Sequence, residues 1–148
     1  MEVKLKDLIL AVDSYLTPEQ VGAIIRTYGK RKFSPARIQA SDTKSVVDKK
    51  VRNVTEIPIF RDEKSMTDMH WFNFLLFKTT ALSQRYCTMH GVKDKPQTME
   101  NISLLRYEKG GYYDLHTDAS AVNPRQLSVI MFLNNDYKGG ALEFRFHN

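Results

Sequence analysis

The sequence predicts an α+β fold in which helices brace a β-sandwich or barrel. Three observations carry that prediction. Two segments with helical periodicity lie in the first ninety residues, the chain from residue 99 onward alternates with period two, and Gly110-Gly111 and Gly139-Gly140 punctuate that alternation as turns. A chain of 148 residues suits one domain with one core, here expected to span residues 1–148. Within it, residues 1–97 are the expected support region and residues 98–148 the expected β core.

The elements follow in order. Residues 3–15 carry an apolar run that reads as a strand. Thr17 then offers an N-cap, Pro18 suits the first helical position, and Gln20 completes a capping box. Val21, Ile24, Ile25 and Tyr28 follow at helical spacing, and Gly29 fits the end of that helix. Residues 30–50 are polar and basic, with turn chemistry at Ser34-Pro35 and at residues 40–43, and read as irregular. Residues 52–60 alternate loosely as a strand. Residues 66–90 form the second expected helix, with Met69, Phe72, Leu75, Leu76, Thr79, Leu82 and Tyr86 as its apolar stripe and Trp71 and Phe74 off it. After a polar connection, strands are expected around residues 102–107, 113–115, 127–133 and 142–146.

Composition narrows the function classes. With 42% hydrophobic and 26% charged residues, the chain is an ordinary globular one. No apolar run approaches the roughly 20 residues of a membrane span, and the N-terminus has no secretory pattern. Cys87 is the single cysteine, which excludes an internal disulfide and a cysteine-based zinc site. The expected compartment is therefore the cytoplasm. The net charge is +5, with its clearest cluster at Lys30-Arg31-Lys32, Arg37, Lys49-Lys50 and Arg52. That cluster reads either as a solvated face or as an attractor for an acidic partner. No zinc-finger spacing or RNP signature accompanies it, so nucleic acid is not an expected partner.

The chemistry-bearing stretch contains His116 and Asp118. Two residues apart in a strand, their side chains share one face. An imidazole and a carboxylate side by side, joined by one further histidine, are the ligands of a non-haem Fe(II) facial triad. A solvated polar pair is the alternative reading of His-x-Asp alone.

The surroundings add Tyr107, Gly110-Gly111, Tyr113, Arg125, Leu127-Ser128, Phe132-Leu133-Asn134, Asp136-Tyr137 and Gly139-Gly140 followed by Ala141, Leu142, Glu143 and Phe144. In order and spacing this resembles the 2-oxoglutarate- and Fe(II)-dependent dioxygenases, in their prolyl-4-hydroxylase-like branch. The resemblance implies a double-stranded β-helix, or jelly roll, with N-terminal bracing helices. It also implies Fe(II) and 2-oxoglutarate as cofactors, with ascorbate as an accompanying reductant. The implied reaction hydroxylates a C–H bond, with a peptidyl proline or similar residue as leading substrate and a small molecule or nucleobase as alternatives. His116 and Asp118 would be metal ligands and catalytic, Tyr107 would bind 2-oxoglutarate, and Tyr113 and Arg125 would line the substrate side. Phe132 is assigned a packing role, and His70 and His90 structural or surface ones.

The family pattern also has a second histidine well downstream and a basic residue about ten positions after it. His147 is the only histidine after His116, and it falls in the wrong strand. The expectation is a jelly roll incomplete at its C-terminus: a fragment, a chain completed by a second polypeptide, or a non-catalytic binding module.

Overall fold

The computed structural model describes residues 8–41, 44–119 and 124–145. Helix α1 spans Pro18–Tyr28 and helix α2 spans Met66–Met89. The strands are β1 (Ser34–Pro35), β2 (Ile38–Ser41), β3 (Lys44–Val46), β4 (Arg52–Asn53), β5 (Thr55–Ile59), β6 (Ile102–Arg106) and β7 (Tyr112–Tyr113). All pairings are antiparallel: β1-β5-β6 form one sheet, and β2-β3 and β4-β7 are two-stranded ribbons.

Helix α1 begins where its capping chemistry places it. The Gln20 amide donates to Thr17 Oγ1 at 3.3 Å, and the Thr17 amide donates to Gln20 Oε1 at 3.0 Å. Pro18 stands in the first turn, and Gly29 closes the helix with right-handed backbone, its N–H bonded to Ile25 O. Helix α2 is capped by Ser65, whose hydroxyl accepts the Asp68 amide.

The core sits between these helices and the three-stranded sheet. Leu16, Ile24, Tyr28, Ile57, Ile59, Trp71 and Leu75 are buried together, with Phe33, Phe72, Phe74, Ile102 and Leu104 packed against them. Ile57 pairs with Leu104 and Ile59 with Ile102, so both strands turn the same alternate residues toward the helices. Pro58 lies where β5 is paired on one side, since β1 reaches only Thr55 and Glu56. Full burial of a side chain such as Ile24 contributes roughly 1.5–3 kcal/mol.

Polar ties fix the helices. The buried Tyr28 hydroxyl donates to Asp68 Oδ1 at 2.8 Å, and Arg31 Nη1 reaches both oxygens of that carboxylate at 2.8 and 3.0 Å. Burial, and next the bond to Asp68, push the Tyr28 phenol well above its usual range. Arg106 Nη2 donates to Gly29 O at 2.8 Å while its guanidinium lies 3.7 Å from the centre of the Phe33 ring, joining β6 to the end of α1.

Several expectations are corrected. Residues 8–15 contain no strand; their backbone bends at Asp13-Ser14, where Ser14 has a φ of 52°, while the start of the segment lies outside the described residues. Residues 30–50 are not irregular: they hold β1 and the β2-β3 ribbon. The ribbon is supported by Arg37 Nη2, which donates to Ser45 O at 2.7 Å. The stripe of α2 is rotated, because the bulk of Trp71 turns inward above Leu75, with Phe74 beside it.

The expected strands at residues 127–133 and 142–145 are absent among the described residues. Residues 124–145 form no ladder; Met131 and Leu133 pack on the core, while Phe132 is 63% exposed. Phe132 thus has no packing role of the kind expected. The described architecture is α+β with short antiparallel strands.

Candidate metal centre

Strand β4 brings the site to the core. Only Val54 separates β4 from the central strand β5, and β4 pairs with β7 through Arg52 with Tyr113 and Asn53 with Tyr112. The turn before β7 is tight: the Gly111 amide donates to Glu108 O at 2.7 Å. A Cβ on Gly111 would lie 2.9 Å from Glu108 O and 3.0 Å from Asn53 O, so only glycine lets the two backbones approach this closely. Tyr112 Oη donates to the carbonyls of Lys49 and Lys50 at 3.1 Å, and the Asp114 amide donates to Val51 O at 2.9 Å.

Past β7 the chain leaves strand geometry. His116 and Asp118 lie in a bent segment, which corrects the expected strand context. Their side chains nevertheless converge, with His116 Nε2 3.2 Å from Asp118 Oδ1. The bend replaces the pleat. His116 Nδ1 sits 2.7 Å from Asp114 O, and the imidazole stacks on Tyr113 with centroids 3.7 Å apart and planes 19° apart.

That geometry assigns the imidazole's protons. A carbonyl oxygen only accepts, so Nδ1 carries a hydrogen. Nε2 then faces a carboxylate oxygen, Asp118 Oδ1, at 3.2 Å. The carbonyl bond to Nδ1 is also the contact that orients metal-ligating histidines.

Two further groups hold Asp118. Ser128 Oγ donates to Asp118 Oδ2. Arg125 Nη1 donates to the Asp118 carbonyl at 3.2 Å. Arg125 is itself held by Glu100, through Nε at 2.9 Å to both oxygens and Nη2 at 2.6 Å to Oε2. The bond to Arg125 keeps the Glu100 carboxyl below the usual carboxylate range, and the same contact raises Arg125.

Of the residues expected at the site, His116, Asp118, Tyr113 and Arg125 are brought together. Tyr107, half exposed beyond β6, shares the surroundings of Arg52 and Tyr113. Desolvation raises its phenol above the usual value, with the Arg52 charge pulling the other way. The Arg52 guanidinium lies 4.7 Å from the centre of the Tyr113 ring and donates through Nη1 to Arg37 O at 2.8 Å. Arg31, Arg37 and Arg52 of the basic cluster are thus engaged within the chain. His70 and His90 stand on α2 and at its end, against Trp71 and Tyr86 respectively. His147 lies outside the described residues.

Sequence reasoning missed Ser128 and Glu100 as parts of this site. Ser128 was visible only as a member of the Leu127-Ser128 pair, and Glu100 carried no signal.

One imidazole nitrogen and one carboxylate oxygen, two of the three protein ligands that an Fe(II) facial triad uses, stand side by side and accessible, with side chains 37% and 44% exposed. Among the described residues no third His, Cys, Asp or Glu joins them. No helix among the described residues is long and apolar enough to cross a membrane.

No curated protein and no solved structure matches the chain. The 2OG-Fe(II) oxygenase superfamily profile matches residues 102–148, the stretch that carries β6, β7, His116, Asp118, Arg125 and Ser128. Residues 102–148 are thus similar to a superfamily whose members use Fe(II) and 2-oxoglutarate.

Proposed function

We propose that this chain carries the His116–Asp118 half of an Fe(II)- and 2-oxoglutarate-dependent dioxygenase centre. Its reaction would be the hydroxylation of a C–H bond, with a peptidyl proline as the leading substrate. The observation behind the reading is the convergence of His116 Nε2 and Asp118 Oδ1 at 3.2 Å inside the stretch that matches the superfamily. When bound, iron in such a centre supplies the oxygen chemistry.

The protein's own residues orient the ligands. Asp114 O and the Tyr113 ring fix the imidazole, so Nε2 is presented without reorganisation. Arg52 places a cation over Tyr113, close to where an anionic co-substrate such as 2-oxoglutarate would approach. Tyr107 offers a phenol near the same cation and is the proposed contact for a co-substrate carboxylate. Tyr113 and Arg125 would border the substrate.

The test is succinate formation from 2-oxoglutarate by the chain with Fe(II), ascorbate and a proline-containing peptide, beside the same assay with His116→Ala. Succinate lost in the variant supports the reading. Intact metal binding with no succinate from either protein favours a non-catalytic binding module instead.

A further inference from the structure

We infer that the turn at residues 47–50 and the end of β7 form a docking strip for an acidic polypeptide segment. Lys49 and Lys50 receive its carboxylates, and Val47, Tyr112 and Leu115 receive its apolar side chains. The choice of a polypeptide rests on the proposed function and extends it to the chemistry of the substrate; the docking itself needs no metal ion.

A basic turn is ordinarily a solvated one. Three features set this one apart. Its lysines are exposed, and among the described residues neither Lys49 nor Lys50 joins an ion pair. Around the turn, Arg37, Lys44, Lys49, Lys50 and Arg52 outnumber the acids Asp48, Glu56 and Asp114, and one oxygen of Asp48 is turned back onto the Lys50 amide at 2.9 Å. The local field is therefore positive.

The turn is also ordered before a partner arrives. Tyr112 Oη donates to the carbonyls of both lysines, and the Val51 and Arg52 amides donate to Asp48 O at 3.2 and 2.9 Å. Binding then costs less ordering of the main chain. Finally, apolar side chains stand beside the charges. Val47 precedes the turn, Tyr112 bonds to it, and Leu115 follows Asp114, whose amide bonds to Val51 O; all three are exposed. Exposed apolar groups rimmed by charge mark an interaction surface, and a merely solvated face has no use for them.

The chemistry favours a polypeptide over a nucleic acid. Phosphates are held best by arginine forks, but Arg37 and Arg52 spend theirs on the carbonyls of Ser45 and Arg37, at 2.7 and 2.8 Å. Lysine point charges beside aliphatic and aromatic surface remain, which suits carboxylates interleaved with apolar side chains. Tyr112 and Leu115 also flank the Tyr113–His116 stack, so a segment seated here reaches the candidate centre.

The experiment follows the fluorescence anisotropy of two labelled proline-containing peptides of equal length against the full chain without metal. One is rich in glutamate and leucine; the other has glutamine at every glutamate position. The glutamate peptide should bind about 10-fold more tightly, and high salt should remove that advantage. Lys49→Gln with Lys50→Gln should erase it at an unchanged urea midpoint, Leu115→Ser should weaken both peptides, and a single-stranded oligonucleotide of the same charge should bind more weakly than the glutamate peptide. Absent or equal binding of the two peptides by the parent, an advantage that survives in the double lysine variant, parent affinity in Leu115→Ser, or tighter binding of the oligonucleotide would each overturn the docking strip. His116→Ala should bind the glutamate peptide as the parent does, so missing succinate with that preference intact counts against the dioxygenase reading alone.

Discussion

The imidazole of His116 lies flat against the ring of Tyr113, centroids 3.7 Å apart, and directs Nε2 at Asp118 Oδ1 3.2 Å away. The stack and the carbonyl bond to Nδ1 fix the ring in two independent ways. Replacing Tyr113 by Phe keeps the stack and should leave Co(II) affinity unchanged. Replacing it by Ala removes an aromatic contact worth about 0.5–1.5 kcal/mol, and affinity measured by calorimetry should fall by roughly 2- to 10-fold.

Gly111 is the point where the turn, β4 and β7 touch. In Gly111→Ala the new Cβ meets two backbone carbonyls, at 2.9 and 3.0 Å, and neither can swing aside as a side chain would. The β4-β7 pairing should open, at a cost of about 1–3 kcal/mol. Tyr113 should be displaced with it. Urea unfolding and Co(II) titration of the same variant should both show the loss.

Tyr28 ties the end of α1 to the start of α2. Tyr28→Phe keeps the ring in the core but removes the donor to Asp68, and should destabilise the fold by about 0.5–2 kcal/mol, read as a lower urea midpoint at unchanged slope.

Asp68 makes the fold sensitive to acid. The bond from Arg31, and those from Tyr28 and Ser65, outweigh desolvation and hold its carboxyl below the ordinary range. A carboxyl with a lowered pKa in the folded state favours folding while it is ionised. That contribution is complete above the unfolded value of about 3.9 and is lost as pH falls through the lowered folded value. Urea midpoints from about pH 6 to about pH 2.5 should therefore decline more steeply in the parent than in Asp68→Asn.

Much of this was legible in the sequence, and the remainder has physical causes. Thr17, Pro18 and Gln20 state the start of α1 locally, since a cap is made by neighbours in the chain. The extent of α2 was equally plain, but not its inward face: counting apolar residues weights all alike, and the single large ring of Trp71 outweighs Met69 and Leu82. The β2-β3 ribbon carries little apolar alternation. Its support comes from Arg37 bonding to a carbonyl, a contact that polar composition hides.

In residues 127–133 Met131 and Leu133 pack on the core while Phe132, the residue expected to pack, is exposed, and period two says nothing about whether a neighbouring strand supplies a ladder. At the site, the spacing of His116 and Asp118 marked the pair, although a bend rather than a pleat joins them. Ser128 and Glu100 reach the site from 10 and 25 residues away from their partners, a distance over which no local pattern operates.

The most direct test observes the imidazoles themselves. Long-range ¹H–¹⁵N NMR spectra of the chain, recorded during titration with substoichiometric Mn(II), resolve the ring nitrogens of each histidine. Ligation between His116 and Asp118 predicts that the His116 signals broaden first, with Nε2 leading, while those of His70 and His90 stay sharp. Persistence of the His116 signals through the titration, or broadening equal at all the histidines, would contradict the metal centre on which the proposed function rests.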